Sequence, residues 1–215
     1  TPCSLASRPA MSYTRHMSRI LLAFAIALVP LAARAEPLPL TELSAYIESI
    51  VGAESGFTQV NADGSKTTGR VIIRRPNRMR FEYAPPDRTL VLASAGQVAI
   101  FDPKSNQPPE QYPLKRTPLN LILARRVDLT RAKMVVAHAE EDGLTTVTAQ
   151  DPDNPDYGTI KLYFSADPVA LRQWVVTDDS GARTRVMLDG LVYGGSYGAS
   201  LFSIENETKD RVGSD

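Results

Sequence analysis

Residues 69–83 restrict the possible folds of this chain more than any other segment. Positions 71–73 are three consecutive β-branched residues, which favour a pleated, half-buried strand. Pro76 and Asn77 follow and favour a turn, because proline has no N–H for a strand ladder and asparagine readily closes turns. From residue 78 to residue 83, charged and apolar side chains then alternate, which is the period of a strand with one wet face. The segment is therefore predicted to be an antiparallel hairpin.

Similar short segments occupy most of the remaining chain. Each has strand-like composition and is bounded by Gly, Pro, Asn or Asp, a pattern typical of an antiparallel meander. Helices do not alternate with these segments, so a parallel sheet is not expected. Beyond the hairpin strands at 67–73 and 78–83, the predicted strands are residues 57–60, 88–93, 97–101, 133–139, 144–149, 159–164, 171–177, 183–188 and 200–205, and residues 102–113 are predicted to be a proline-rich loop.

Residues 40–51 are predicted to form an amphipathic helix. Apolar residues, among them Leu43 and Ile47, recur at helical spacing and give the segment one apolar face. Thr41 is a candidate N-cap and Gly52 a candidate stop. The segment contains no lysine or arginine, which argues against a helix that lies on a membrane surface.

A second, shorter helix is predicted at residues 118–124. Pro118 suits the first helical position, where its missing N–H costs nothing. Leu119, Ile122 and their neighbours make the helix apolar on nearly all sides, so another part of the molecule has to cover it. Two arginines follow at its carboxyl end, where the helix dipole favours cations.

The first 35 residues are predicted to be removed from the mature protein. Residues 1–16 show no apolar pattern, and Met17 is the expected start of a secretory signal peptide. The apolar run at 20–31 is too short for a transmembrane span, and alanines at 33 and 35 suit signal cleavage. A core helix is the alternative, but the run lacks an amphipathic period. Residues 36–215 are then expected to form a single domain, without a cysteine that could carry a lipid.

The charge of residues 36–215 argues against several classes of partner. The removed segment contains four arginines and no acidic residue, so the 24 basic and 24 acidic residues of the whole chain become 20 and 24, a net charge of −4. This mildly acidic balance indicates neither a nucleic acid nor an anionic membrane surface as partner. Cys3 is the sole cysteine, so no disulfide is expected in the mature protein.

Residues of the types that catalytic and metal sites require are sparse. His138 is the sole histidine after the signal peptide, it lies on a predicted strand, and no nucleophile elbow occurs elsewhere. Zinc binding by histidine and cysteine is therefore not expected, and the acidic residues at 151–156 lack the central glycine and closing glutamate of an EF-hand loop. No catalytic residue, metal or cofactor is predicted, and a secreted hydrolase that uses His138 is the less favoured alternative.

Several short motifs occur in an order that resembles the LolA family of periplasmic outer-membrane lipoprotein carriers. The resemblance covers about residues 40–130, and the last third of the chain matches mainly in its strand pattern. The motifs are Gly56-Phe57-Thr58-Gln59, Gly69, Arg75-Pro76-Asn77, Phe81 with Tyr83, Pro86-Asp87, Gly96, Ile100-Phe101-Asp102-Pro103 and Thr117-Pro118.

The resemblance implies an α+β fold in which a strongly curved antiparallel sheet forms an incomplete β-barrel. The two predicted helices would be a lid over an apolar cavity inside that barrel. The lid residues would include Pro118, Leu119 and Ile122. The residues expected to line the cavity, from the strand alternation and the first helix, are Phe81, Tyr83, Leu90, Leu92, Ile100, Leu43 and Ile47.

Arg75 has two interpretations. Local chemistry allows either a solvated charge at a strand end or a clasp that reaches a neighbouring element, since the guanidinium group has five donors in fixed geometry. The resemblance implies the second interpretation. Arg75 would then hydrogen-bond the lid backbone in the closed state and lose those bonds when cargo enters.

The resemblance also implies partners and a location. The protein is expected to be a periplasmic monomer that carries the acyl chains of lipoproteins from the inner to the outer membrane. Its partners would be acylated lipoproteins, an inner-membrane ABC-type lipoprotein-releasing complex and an outer-membrane receptor. The sequence leaves one other binding function open, a periplasmic protein that uses the same cavity for another lipid or hydrophobic ligand.

Overall fold

The hairpin predicted at residues 69–83 lies at the centre of one large antiparallel sheet. In the computed structural model, which describes residues 36–105, 107–117 and 119–212, strand β2 (Lys66–Arg74) pairs with strand β3 (Arg78–Tyr83). Residues 75–77 form the turn between them, and Asn77 has a positive φ of 64°, which asparagine tolerates better than most residues. The hairpin prediction is confirmed.

Twelve strands of the described chain form this sheet. Besides β2 and β3 they are β1 (Gly52–Val60), β4 (Leu90–Ser94), β5 (Gln97–Phe101), β6 (Glu110–Pro113), β7 (Val135–Glu141), β8 (Leu144–Gln150), β9 (Thr159–Ala166), β10 (Val169–Thr177), β11 (Arg183–Leu188) and β12 (Val192–Tyr193). The strand order is β6-β5-β4-β3-β2-β1-β11-β10-β9-β8-β7, and β12 pairs with β1 beside β11. The path does not close on itself, so the predicted incomplete barrel is confirmed.

Helices in the described residues are few and short. They are α1 (Leu40–Ser49), α2 (Asn120–Leu123) and α3 (Ile204–Val212), with 3-10 turns at Leu114–Arg116, Pro155–Tyr157 and Ala199–Phe202. α1 ends two residues before the predicted boundary, and Pro39 rather than Thr41 occupies its N-cap position. Gly52 is the first residue of β1 rather than a helix stop, and a Cβ there would lie 2.7 Å from the Gly195 carbonyl oxygen.

The main core lies between the two lid helices and one face of the sheet, here called the inner face. Leu43 and Ile47 of α1 and Ile122 of α2 are buried in a single apolar cluster with side chains from most strands. Burial of each large side chain contributes about 1.5–3 kcal/mol. The strand members are Ala53, Phe57, Val71, Ile73, Met79, Phe81, Ala93, Val98, Val147, Ala149, Ile160, Leu162, Phe164, Leu171, Trp174 and Val186.

A second, smaller apolar cluster lies on the opposite face of the sheet, the outer face. Leu90 and Leu92 of β4 pack there with Ala99, Phe101 and Ile204 of α3. Val91, which lies between the two leucines, and Ala93, which follows them, pack in the inner cluster. β4 is therefore buried on both faces, which explains its continuous apolar sequence.

An ionic cluster attaches α3 to the outer face. Arg80 is 8% exposed and donates to Glu82 Oε1 (2.6 Å), Glu207 Oε1 (2.6 Å) and the Leu201 carbonyl (2.9 Å). Arg211 of α3 lies over the ring of Phe101, 5.7 Å from its centroid. These contacts place a helix where it covers the second apolar cluster.

Two further predictions on secondary structure are wrong. Residues 200–205 were expected to be a strand, but they lie in the last 3-10 turn and the start of α3. Ion pairs at i,i+4 from Glu205 to Lys209 and from Glu207 to Arg211 stabilise this helix. The predicted loop at 102–113 ends in β6, an edge strand, where a proline is tolerated because its N–H position faces away from the ladder.

Candidate functional site

An apolar cavity of about 370 Å³ lies on the inner face beside the amino end of α2. This volume falls within the range of small-molecule binding sites. Most of its lining is aliphatic or aromatic, which suits an apolar ligand. The lining residues are Gln59, Phe81, Tyr83, Val91, Leu119, Tyr157, Thr159, Ile160, Trp174, Val176, Thr184 and Val186.

Four aromatic rings form one wall of this region. The ring centroids of Phe57 and Phe81 are 5.5 Å apart, those of Phe57 and Tyr83 5.1 Å, and those of Phe81 and Trp174 5.8 Å, all in edge-to-face geometry. Such pairs add to the stability that burial alone provides. Gly69 leaves the space for Phe57, because a Cβ at this position would lie 2.7 Å from ring atoms.

The Tyr83 hydroxyl of this wall has a hydrogen-bond partner beside the cavity. The Tyr83 hydroxyl donates to Gln59 Oε1 at 2.7 Å. Burial, and then the charge of Asp87, raise the pKa of Tyr83 to about 12, so the phenol is neutral at pH 7. An acyl chain in contact with this wall would therefore meet a satisfied, uncharged polar pair.

Arg75 joins the two helices of the inner face. Its Nη2 donates to the Ala124 carbonyl, just past the end of α2, at 2.7 Å, and its Nη1 donates to the Ile47 carbonyl in α1. Partial burial lowers the pKa of the Arg75 guanidinium, and the charge of Glu48 opposes that shift. The family resemblance implied hydrogen bonds from Arg75 to the backbone of the two lid helices, and its two acceptors lie in α1 and just past α2.

The two helices differ in how they are attached. In α1, the Tyr46 hydroxyl accepts a hydrogen bond from the Leu171 N–H of β10 (2.9 Å) and Ser44 Oγ accepts one from the Leu129 N–H (3.0 Å). α2 has only four residues, and the bonds described between it and the hairpin lie at its carboxyl end. Besides the Arg75 contact, the Asn77 N–H donates to the Leu123 carbonyl at 2.8 Å. Among the described hydrogen bonds, fewer therefore attach α2 than α1 to the rest of the molecule.

The structure separates the predicted cavity residues. Phe81 and Tyr83 line the cavity. Leu43 and Ile47 are buried in the inner cluster under α1 and do not form the cavity wall. Ile100 is half-buried and lies on the inner face, opposite its register partner Val91.

Leu90 and Leu92 lie on the wrong face for the predicted role. Their register partners on β3 are Glu82 and Arg80, whereas Phe81 pairs with Val91. Both leucines consequently belong to the outer cluster under α3. The sequence prediction that they line the cavity is corrected, and Val91 takes that place.

The predicted lid residues also occupy different positions from one another. Leu119 lines the cavity, and Ile122 is buried between α2 and the sheet. Pro118 lies outside the described residues. Trp174 and Val186 line the cavity but were not among the predicted site residues, although alternation within residues 171–177 and 183–188 would have placed them on one face.

His138 contacts the backbone just before α1. The His138 Nε2 atom lies 2.9 Å from the Leu38 carbonyl oxygen. Within the part of the chain that is described, no three potential metal ligands of the His, Cys, Asp or Glu type come together. None of the described helices has the length and apolarity required to cross a membrane.

The fold and the cavity define a class of α+β proteins in which an incomplete antiparallel barrel and short helices enclose an apolar space. Comparison with known sequences places the chain within this class. Residues 48–205 match the family described as outer membrane lipoprotein carrier protein LolA, and the chain belongs to this family.

Individual relatives are distant but cover most of the chain. The outer-membrane lipoprotein carrier protein of Chromohalobacter salexigens is 26% identical over 186 residues, which is 82% of this chain and 87% of that protein. The protein of the same name from Xanthomonas oryzae pv. oryzae is 26% identical over 176 residues, 75% of this chain and 81% of the relative. A LolA superfamily protein from Nitrosomonas europaea has a TM-score of 0.41 at 10% identity, with coverage of 77% of this chain and 98% of that structure.

Proposed function

We propose that the protein carries lipoproteins across the periplasm, from the inner to the outer membrane, by holding their acyl chains in the inner-face cavity. One observation carries the proposal, namely an apolar cavity of about 370 Å³ bordered by a short helix that Arg75 holds. Membership of a family named for lipoprotein carriage supports the choice of cargo. The described lining of the cavity contains no histidine, cysteine or carboxylate, and we propose a binding protein rather than an enzyme.

The physical requirement for such a carrier is to keep acyl chains out of water. Each exposed CH₂ group costs about 0.8 kcal/mol. An apolar cavity lowers this cost for any acyl chain of suitable length, because it makes few directional contacts. The cavity wall formed by Phe81, Trp174 and Val186 has this character.

A carrier must also release its cargo, and we propose that Arg75 provides the means. Leu119 borders the cavity and Ile122 anchors α2, so a chain too long for the cavity with α2 in place would displace this helix as a lid. Displacement breaks the bond from Arg75 to Ala124. A hydrogen bond from a charged donor contributes roughly 1.5–3 kcal/mol, and this loss would reduce the affinity for cargo to a level that permits transfer.

The proposed route requires one partner at each membrane. After removal of residues 1–35, a monomeric domain of residues 36–215 would receive acylated lipoproteins from an inner-membrane ABC-type releasing complex. It would pass them to an outer-membrane receptor. Family membership supports this route through the name of the relatives, outer-membrane lipoprotein carrier protein.

The variant Arg75→Leu tests the gating role. Because opening α2 no longer breaks a hydrogen bond from Arg75 to Ala124, cargo should bind roughly 10- to 150-fold more tightly, from the 1.5–3 kcal/mol of a charged hydrogen bond. The variant should therefore accept lipoprotein from inner-membrane vesicles but transfer it poorly to outer-membrane vesicles. Arg185→Leu, which removes an exposed arginine of β11, is the matched control and should transfer normally. Equal transfer by the two variants would contradict the gating role.

A further inference from the structure

Four arginines lie at the end of the molecule where α1 and α2 are joined. Arg74 and Arg78 flank the β2–β3 turn and are register partners. Arg125 and Arg126 follow α2 directly and are exposed. We call these four residues the arginine rim.

Two hydrogen bonds to backbone carbonyls bring Arg74 and Arg78, at the hairpin turn, close to Arg125 and Arg126, after α2. Asn77, in the hairpin turn, donates its N–H to the Leu123 carbonyl at 2.8 Å. Arg75 Nη2 reaches the next carbonyl, that of Ala124, at 2.7 Å. The hairpin turn and the segment after α2 therefore form one continuous basic surface.

The rim arginines lack acidic partners. Among the described residues no salt bridge involves any of the four, whereas Arg70, Arg80, Arg131 and Arg211 each have a carboxylate within 4.0 Å. Arg74 Nη1 is buried without a hydrogen-bond partner. Glu48, an acidic residue at the same end, accepts a hydrogen bond from the Val127 N–H at 2.9 Å. The rim consequently has free capacity to bind anions.

We propose that the arginine rim docks the protein on a membrane by binding the phosphate groups of anionic phospholipids. Guanidinium groups match the geometry of phosphate oxygens, and basic residues next to an anionic bilayer each contribute about 1 kcal/mol. The net charge of −4 argued against such a surface, but a net charge does not report how the charges are distributed.

An exposed aliphatic side chain favours a bilayer over an acidic protein as the occupant. Val51 is 73% exposed, and its carbonyl accepts the Arg75 N–H at 3.0 Å, so it lies beside the rim. Basic groups together with exposed aliphatic side chains are typical of segments that lie in the headgroup region. A carrier that exchanges acyl chains must also approach membranes, a reason that rests on the proposed function.

Vesicle sedimentation with the cargo-free protein of residues 36–215 tests the proposal. The vesicles contain phosphatidylcholine alone or an equal mixture with phosphatidylglycerol. We expect binding to the mixed vesicles, and a roughly 30-fold lower partition coefficient for Arg125→Gln/Arg126→Gln, from about fivefold per arginine. Arg125→Lys/Arg126→Lys keeps the charge and should retain most of the binding.

The matched control is Arg183→Gln/Arg185→Gln. It removes two exposed arginines of β11. Arg185 pairs with Val60 at one end of β1, whereas Arg74 of the rim pairs with Gly52 at the other end, so the control changes the end of the sheet far from the rim. The control should bind as the unchanged protein does. Equal losses in the two Gln variants would show a net-charge effect and overturn the proposal.

Absence of any preference for anionic vesicles would also overturn it, and would leave an acidic protein as the partner of the rim. Fatty-acid binding by the same variants separates this outcome from a failure of the carrier function. The rim arginines do not line the cavity, so their replacement should leave fatty-acid affinity unchanged.

Discussion

The volume of the inner-face cavity sets a chain length at which the affinity for fatty acids should stop rising. With α2 in place, the cavity of about 370 Å³ accommodates about 12 methylene groups, if each occupies roughly the 30 Å³ that a water molecule occupies in the liquid. Each buried CH₂ contributes about 0.8 kcal/mol, or up to about fourfold in affinity. Longer chains should gain less per carbon, because they must displace α2 and break the Arg75 bond to Ala124.

Calorimetric titration with saturated fatty acids of increasing length measures this dependence. The logarithm of the dissociation constant should fall linearly with chain length and then level off near the length that fills the cavity while α2 stays in place. Val186→Phe reduces the cavity volume, and the change of slope should move to shorter chains. Arg75→Leu frees α2, and the change of slope should move to longer chains or disappear.

Val136→Phe is the matched control for Val186→Phe. Val136 is an exposed valine of the edge strand β7 and does not line the cavity, so its replacement should leave the chain-length profile unchanged. An affinity that is independent of chain length in the unchanged protein would refute the reasoning. So would a profile for Val186→Phe that coincides with that of Val136→Phe.

Three further predictions concern processing, packing and pH. Exported protein should begin at Glu36, as N-terminal sequencing would show. Gly69→Ala should lower the free energy of unfolding by about 1–3 kcal/mol, because its Cβ would collide with the Glu82 carbonyl and the Phe57 ring. Burial alone would raise the pKa of Glu82, but hydrogen bonds from Arg80 and Arg70 outweigh this effect and lower it. The stability that the Glu82 carboxylate adds should therefore be complete above the ordinary glutamate pKa of about 4.3. It should disappear as the pH falls through the lowered pKa.

Each of these predictions has a contrasting outcome. A mature start at or before Met17 would contradict the processing prediction. For Gly69, the control is Gly198→Ala, whose Cβ would meet Ser200 Oγ at an ordinary 3.5 Å, and equal unfolding midpoints would refute the steric argument. For Glu82, the control is Glu42→Gln, which replaces an exposed carboxylate of α1. Between pH 7 and pH 3, the free energy of unfolding in urea should fall less steeply in Glu82→Gln than in Glu42→Gln. Parallel curves would refute the ionic argument.

The central hairpin and most strands could be predicted because their sequence signals are local. Pro76 and Asn77 define a turn, and alternation in residues 78–83 identifies both the strand and its faces. Local signals placed Arg75 next to the turn but left its role open between a solvated charge and a clasp, and the family resemblance implied the clasp.

The errors arose where a face or an element depends on distant parts of the chain. β4 is apolar throughout, so its sequence does not reveal that Leu90 faces α3 while Val91 faces the cavity. Residues 200–205 include Leu201, Phe202 and Ile204, which suggested a strand, but Glu205 and Glu207 pair with residues one turn later in α3. The contact of Arg75 with Ile47 joins residues 28 positions apart and has no local sequence signal.

Binding of a lipoprotein in its acylated and non-acylated forms tests the carrier proposal most directly. The two forms differ only in their acyl chains, so any difference in binding reports the cavity rather than the polypeptide of the cargo. We predict that the protein of residues 36–215 forms a soluble complex with the acylated form, detected by size-exclusion chromatography, and none with the non-acylated form. Equal binding of the two forms, or no soluble complex with the acylated form, would contradict the proposal.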